Sequence, residues 1–369
     1  MRIFSIVTLV SPDGEYGGPV RVAVNHARAL REAGHDARVV GGARGFGPVM
    51  PTEIDGVPVH LFRARTVIPG IGFAGLASPA LQRWLHRHGS SADILHIHAA
   101  RDFVTLPAAD WARRHRVPYV LQTHGMIDVS SNPLARPLDA AITRRVLTHA
   151  KVVFYLTDRE RSDLILVAGR DIPLAELGNG VPTSTLERHH LRDPAEVLYL
   201  ARLAPRKRPL AFVQAAAILA ASYPNAEFSL VGPDEGEGAA ISEAIAGIGT
   251  DAIRWEGALP PEKTTGRMSQ SSIYVLPSVD EPYPMSVLEA MSVGLPVIVT
   301  ETCGLAPAIR EIGCGIVVDA TLESLTTAIG ELLGDPALAR RMGEAGLTAS
   351  RERFGMAAVA ERLEASYRS

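Results

Sequence analysis

Residues 281–298, EPYPMSVLEAMSVGLPVI, join the end of one apolar run to the start of the next and place Glu281 and Glu289 on either side of a proline pair. The run before them, SIYVLPS (272–278), and the run that closes the stretch, LPVIVT (295–300), both read as buried strands. MSVLEAMS between them has helical spacing, and Gly294 follows where a left-handed residue most easily ends a helix. Pro284 suits the first helical turn, because its missing N–H would have had no partner there. A strand feeding a helix that returns to a strand is one unit of a parallel sheet, and the free N–H groups of Met285, Ser286 and Val287 at such a helix start favour phosphate. Side chains on a helix lean toward its N-terminus, so Glu289 can reach a ligand beside that phosphate and accept bonds from vicinal hydroxyls, while Glu281 can do the same from the loop. On spacing alone the pair also reads as a solvated loop acid and an exposed helix acid.

The same alternation extends in both directions. RIFSIVTLV (2–10), DARVVGG (36–42), ADILHIHAA (92–100), VPYVLQTHG (117–125) and AKVVFYLT (150–157) read as strands of a first sheet, with the amphipathic VRVAVNHARALREAG (20–34) closed by Gly34. LGNGVPTSTLERHHLRDPAE (177–196) is rich in turn formers, and strands restart with VLYLARL (197–203), AEFSLVG (226–232), IRWEG (253–257), SIYVLPS, LPVIVT and GIVVD (315–319). The expectation is an α/β protein of two doubly wound Rossmann-like halves, 1–180 and 181–350, with ligands bound at the carboxyl ends of the strands in a cleft between them. Residues 351–369 read as final helices.

The chain has 369 residues and a formal net charge of −3, so nothing in its overall charge draws it to nucleic acid. Cys303 and Cys314 offer neither a disulfide framework nor a zinc spacing, and read as small buried residues in a reducing compartment. No run reaches the length of a membrane span and the amino terminus lacks a signal-peptide pattern, so a cytoplasmic location is expected.

EPYPMSVLEAMSVGLPVI resembles the E-x7-E signature of retaining GT-B glycosyltransferases of family 4 (glycosyl transferases group 1), including the EAM-x-x-G-x-P-V continuation. The resemblance implies two facing domains, a nucleotide diphosphate sugar held mainly by the second, and a last helix crossing back to the first. Within LARLAPRKRPL (200–210), Arg202 and Lys207 resemble the family's diphosphate-gripping pair, with Ala201 where glycine is usual; Arg206 and Arg208 read as solvated neighbours. A cationic pair can neutralise the charge that builds on a departing diphosphate. No D-x-D motif occurs, so the chemistry is expected to need neither a metal nor another cofactor. The resemblance assigns Glu281, Pro282, Tyr283, Pro284, Met285, Ser286, Val287 and Glu289 to the donor.

In SPDGEYGGPVRVA (11–23), Gly17 and Gly18 let backbone approach a ligand, and the resemblance places donor phosphates and acceptor there; the same spacing also suits a plain tight turn. It is not a dinucleotide fingerprint. QTHGMIDVSSNP (122–133) puts His124 and Gly125 at a strand end, where the family's histidine contacts the donor sugar, with Asp128 beside an acceptor pocket. His96 and His98 point to one side of their strand and read as strand-edge polar residues, with no third ligand in view for zinc. In the last stretch, Gly355 and Met356 stand where the family often has a tryptophan-containing pattern.

The function so implied is transfer of a sugar to a hydroxyl of a saccharide or small-molecule acceptor with retention. Other readings of the same fold are a nucleotide-sugar 2-epimerase and a non-catalytic sugar-nucleotide-binding protein. The uncharged 66–82 stretch, flanked by Arg63, Arg65, Arg83 and Arg87 beside Trp84, together with Arg144, Arg145 and Lys151, reads either as an ordinary segment of the first domain or as a surface resting on an anionic bilayer near a lipid-linked acceptor.

Overall fold

The computed structural model describes the chain except residues 13–16, 131, 133–134, 185 and 187–193. It comprises two compact units: unit 1 is Met1–Gly180 with Met356–Ser369, and unit 2 is Val181–Gly355.

Unit 1 contains strands β1 (Arg2–Val10), β2 (Asp36–Ala43), β3 (Glu53–Ile54), β4 (Val57–Arg63), β5 (Arg65–Thr66), β6 (Leu76–Ala77), β7 (Ile94–His98), β8 (Tyr119–Gln122), β9 (Val153–Tyr155) and β10 (Leu174–Glu176). Its main sheet runs β10-β9-β8-β7-β1-β2-β4-β3, parallel except for the β3–β4 pair, and β5–β6 form a separate hairpin. Strand β4 was not anticipated. Its sequence, VPVHLFR, breaks the apolar pattern with Pro58 and His60, and it is stabilised by pairing with β2 at the far side of the sheet. Order reverses between β1 and β7, so the loops after these strands flank the position where such sheets bind ligands.

Unit 2 contains β11 (Glu196–Leu200), β12 (Glu227–Val231), β13 (Ile253–Trp255), β14 (Ile273–Leu276), β15 (Val297–Thr300) and β16 (Gly315–Val318), all within the runs read from the sequence except that β11 starts one residue earlier, at Glu196. They form a wholly parallel sheet in the order β13-β12-β11-β14-β15-β16. Reversal falls between β11 and β14, the two strands that lead into the basic loop and the two-glutamate seam.

Apolar side chains pack on both faces of each main sheet. The carboxy-terminal helix Met356–Arg368 completes unit 1, where Val359, Leu363 and Tyr367 join the core formed by Val7, Ala27 and Leu30. The 66–82 stretch is largely spent inside this unit: Leu76 and Leu81 are buried, and the Trp84 ring packs 5.2 Å from Phe4 and 5.9 Å from Phe62. Val67 and Ile68 remain exposed. Arg144 donates to the Val167 carbonyl (3.1 Å) and Lys151 to the Tyr367 carbonyl (2.7 Å), so both are held within the unit. Among the described residues, no helix is long and apolar enough to cross a membrane.

Candidate functional site

Unit 2 gathers charge at its reversal point. After β11 the chain passes Arg202 into the short turn Pro205–Lys207, then through a left-handed Arg208 (φ 53°) into the helix Pro209–Ser222. The ends of β11 and β12 lie so close that a Cβ at Gly232 would sit 2.0 Å from the Ala201 carbonyl oxygen, at a φ of 153° that disfavours a side chain. The Lys207 ammonium reaches Oε2 of Glu281, and both side chains are nearly buried. Arg206 lies 3.6 Å from the same oxygen and donates to the Asp280 carbonyl at 2.9 Å. Arg206 is therefore fastened to the seam while its side chain stays exposed. Arg208 likewise donates to the Ala320 carbonyl at 2.7 Å. Arg202 pairs with Glu235 at 2.8 Å, both side chains being well exposed. Burial draws the Lys207 ammonium below the usual lysine range, and the Glu281 charge pulls it back.

The seam itself is held by backbone bonds. Asp280 is left-handed (φ 50°) and donates its N–H to Thr302 Oγ1 (3.1 Å), Val279 N–H bonds the Arg206 carbonyl (3.0 Å), and Gly304 N–H bonds the Glu281 carbonyl (2.8 Å). Pro284 stands just before the helix Met285–Ser292 instead of in its first turn, because its ψ of 111° keeps it extended. Pro282 is exposed, Tyr283, Met285 and Ser286 are half-buried, and Val287 is fully buried with its N–H donated to the Pro284 carbonyl at 3.2 Å, so it is not one of the free donors expected at this helix start. Ser286 Oγ lies 2.8 Å from the Tyr274 hydroxyl, which also donates to the Leu200 carbonyl at 3.0 Å. Tyr274 thus ties the end of β11 to the start of the seam helix, a role its place inside an apolar run hid. Burial pushes its phenol upward, with the charges of Glu289 and Glu281 adding to the effect. Glu289 is 5% exposed and so is no solvated helix acid.

Unit 1 gathers neutral imidazoles. The helix Gly17–Glu32 takes Gly17 and Gly18 into its first turn, and a Cβ at Gly18 would meet none of the described residues within 4 Å. The residues 13–16 that precede it lie outside the described part. His124 and Gly125 follow β8 with φ of 52° and 74°. His124 is half-buried, and its Nε2 lies 2.8 Å from Nδ1 of His98. Burial pulls the His124 imidazole down to about 3, the neighbouring His26 contributing. His96 and His98 are fully buried rather than strand-edge, because β7 lies inside the sheet and its carboxyl end is covered by His26 and Tyr367. Burial lowers both of these and takes His26 to about 4. Asp128 is exposed and pairs with Arg101 at 3.1 Å, which also holds Asp139 at 2.9 Å.

His26 is the third histidine that the sequence did not bring into view. Among the described residues, His26, His96 and His98 form the group able to offer a metal three donors, with one ring nitrogen from each lying within 4.8 Å of the others. The His96 and His98 rings are parallel to within 4° at 4.6 Å, and His96 Nδ1 bonds the Tyr367 hydroxyl at 2.7 Å. Imidazole lone pairs lie in the ring plane, so stacked rings aim them side by side, and coordination would require a ring to turn. Further along the same sheet edge, Arg44, Phe46, Met50, Arg63 and Arg65 line a cavity of about 200 Å³.

Two Rossmann-like units, one carrying Arg202, Lys207, Glu281 and Glu289 at its reversal point, define a glycosyltransferase of the GT-B class. Residues 185–349 match the sequence profile "Glycosyl transferases group 1" and residues 17–180 match "Glycosyl transferase 4-like domain". The chain belongs to the glycosyl transferases group 1 family. It is 28% identical over 265 residues to the GDP-mannose-dependent alpha-(1-6)-phosphatidylinositol monomannoside mannosyltransferase of Mycolicibacterium smegmatis, covering 65% of this chain and 66% of that protein. It is 27% identical over 276 residues to the alpha-D-kanosaminyltransferase of Streptomyces kanamyceticus, covering 68% and 70%. The fold matches that of Anabaena HepE in complex with UDP and glucose, with a TM-score of 0.74 at 18% identity over 100% of both chains. Sucrose-phosphate synthase from Thermosynechococcus elongatus gives the same TM-score and identity over 100% of this chain and 98% of that one.

Proposed function

We propose that the protein transfers a sugar from a nucleotide diphosphate sugar to an acceptor hydroxyl with retention of anomeric configuration and without a metal ion. The observation that carries this reading is the buried Lys207–Glu281 pair, set at the reversal point of a parallel sheet directly before a helix start. Lys207 and Arg202 neutralise the diphosphate, the N–H groups of Met285 and Ser286 receive a phosphate, Glu289 takes the ribose hydroxyls and Glu281 those of the sugar. Glu281 acts as the counter-ion of Lys207 until the diphosphate competes for it. Unit 1 contributes His124 to the sugar, the Gly17–Gly18 backbone to the phosphates, and Gly125 and Asp128 to the acceptor.

In the transfer step the acceptor oxygen bonds to the anomeric carbon on the face from which the diphosphate oxygen departs. The acceptor proton passes to that leaving oxygen, and the products are a glycoside and a nucleoside diphosphate. The relatives support donors of different bases, since one is named for GDP-mannose and HepE is described with UDP. The arginine-lined cavity supports an acceptor that carries a negative group, and D-inositol 3-phosphate glycosyltransferases are among the relatives, one from Segniliparus rotundus being 30% identical over 185 residues.

The test is incubation with UDP-, GDP-, ADP- and TDP-sugars in the presence of EDTA, with and without phosphorylated polyols as acceptors. One base class should release nucleoside diphosphate and yield a glycoside whose proton coupling shows the donor's configuration. An inverted product overturns retention, sensitivity to EDTA overturns metal independence, and no turnover of any donor overturns the reading as a whole.

A further inference from the structure

His124 is held at both its backbone and its ring by residues that the reading above leaves unused. Its φ of 52° places it in the left-handed region, where a residue with a Cβ carries strain. The residues on either side of it bond one carboxylate. Glu160, 5% exposed in the first turn of the helix Asp158–Ala168, accepts at Oε1 from the Thr123 hydroxyl (2.5 Å) and the Gly125 N–H (2.6 Å). Its other oxygen accepts from the Leu156 N–H at 2.7 Å. Hydrogen bonds to an ionised carboxylate are roughly twice as strong as neutral ones, and the helix start beneath Glu160 favours its charge.

The ring is fixed separately. Nδ1 of fully buried His98 lies 2.8 Å from His124 Nε2, with the ring planes within 8°. Among the described residues, His98 Nε2 is buried with no partner. An orphaned buried donor is rarer than an under-satisfied acceptor, so the proton of neutral His98 belongs on Nδ1, where it has an acceptor. That proton makes His124 Nε2 the acceptor and leaves the His124 proton on Nδ1; the Asn179 side chain also bonds the His124 ring.

We propose that Glu160 and His98 are positioning residues for His124: the carboxylate clamps residues 123 and 125 so that residue 124 stays left-handed, and the His98 Nδ1–H selects the Nδ1-protonated tautomer. This rests on the reading of His124 as a sugar-facing group. On that reading unit 2 binds the donor nucleotide, so nucleotide affinity is a readout that this role of Glu160 and His98 should leave unmoved.

The test uses the full chain and its Glu160→Gln, His98→Leu and His98→Asn variants. Glutamine cannot accept the Leu156 N–H and the two bonds around His124 together; leucine cannot donate to His124, whereas the asparagine amide reaches the place of Nδ1 and can. Long-range proton–nitrogen correlation spectra should show His124 protonated at Nδ1 in the parent and in His98→Asn, and a tautomer mixture in His98→Leu. With the donor found above, kcat should fall roughly 100-fold in Glu160→Gln and His98→Leu, the scale for a reacting group displaced by about an ångström. The Kd for the nucleoside diphosphate should not change, and His98→Asn should recover most of the rate. A parent His124 protonated at Nε2, or variants with unchanged spectra and kcat, overturns the proposal. If the parent turns over no donor at all, the functional reading fails, while the spectra still decide how His124 is held.

Discussion

The two units use the same sheet architecture and equip their reversal points in opposite electrical ways. Unit 2 places Lys207 against Glu281, with Arg206 beside them and Arg202 paired further out to Glu235. Unit 1 stacks His98 with His96 and hydrogen-bonds it to His124, and burial keeps all three imidazoles neutral. A charged pair can exchange one partner for an anionic ligand without leaving a bare charge, so a diphosphate site can be assembled in advance. A neutral hydrogen-bonding surface suits a sugar, whose hydroxyls carry no charge to offset. On the proposed function, the contrast separates holding a leaving group from aligning a reacting one.

Acidification strikes at unit 1 and gives the largest expected effect. A histidine whose folded pKa is depressed binds fewer protons than in the unfolded chain, so stability is full above the unfolded value near 6.5 and is lost as pH falls toward the folded value. For His26, brought to about 4, the full loss is roughly 3 kcal/mol, and His124 adds to it. Urea midpoints should therefore drop between pH 7 and pH 5, by less than the histidines alone would give because the buried Asp102 carboxyl, raised to about 6, gains its proton over the same range, and the drop should shrink in His26→Gln. A flat profile would break the contrast on the neutral side.

On the charged side, Lys207→Met should cost roughly 2–4 kcal/mol in kcat/KM. It also leaves the buried Glu281 without its closest cation, so stability should fall as well. Adding Glu281→Gln should restore the melting temperature but not the activity. Recovery of both would show that the pair only supports the fold.

The smallest effect belongs to Arg202 and Glu235, an exposed pair. Glu235→Ala should change stability by less than about 1 kcal/mol. Arg202→Ala should raise the KM for the donor with a similarly small change in melting temperature, and a large stability loss would move Arg202 from ligand binding to structure.

The sequence made unit 2 more legible than unit 1, for physical reasons. The central strands β11, β12, β14 and β15 of unit 2 are buried almost throughout and appear as short apolar runs, and the candidate site residues follow β11 and β14. In unit 1, β4 carries Pro58 and His60, and the histidines of β7 looked like edge residues because nothing local announces that His26 and Tyr367 cover them. Glu160 had a faint signal. Thr157 and Glu160 have the spacing of a helix-capping pair, and Thr157 does accept the Glu160 N–H. That pattern foretells a local cap, but no spacing rule reports that the carboxylate turns away to Thr123 and Gly125. Arg206 is exposed, as a basic residue in a basic loop suggests, and what no local pattern reports is that tertiary structure brings the Asp280 carbonyl to its guanidinium.

The carboxy-terminal helix gives the molecule a timetable. Unit 1 is built from the first 180 residues and the last 14, so a chain leaving the ribosome must make all of unit 2 before unit 1 can close. Until Tyr367 emerges, the His96 ring lacks its hydroxyl partner and the apolar strip around Val7 and Leu30 lacks its last cover. The nascent first unit therefore waits with an open flank while the second folds to completion, and translation rate and chaperone access bear on the imidazole cluster before any substrate does.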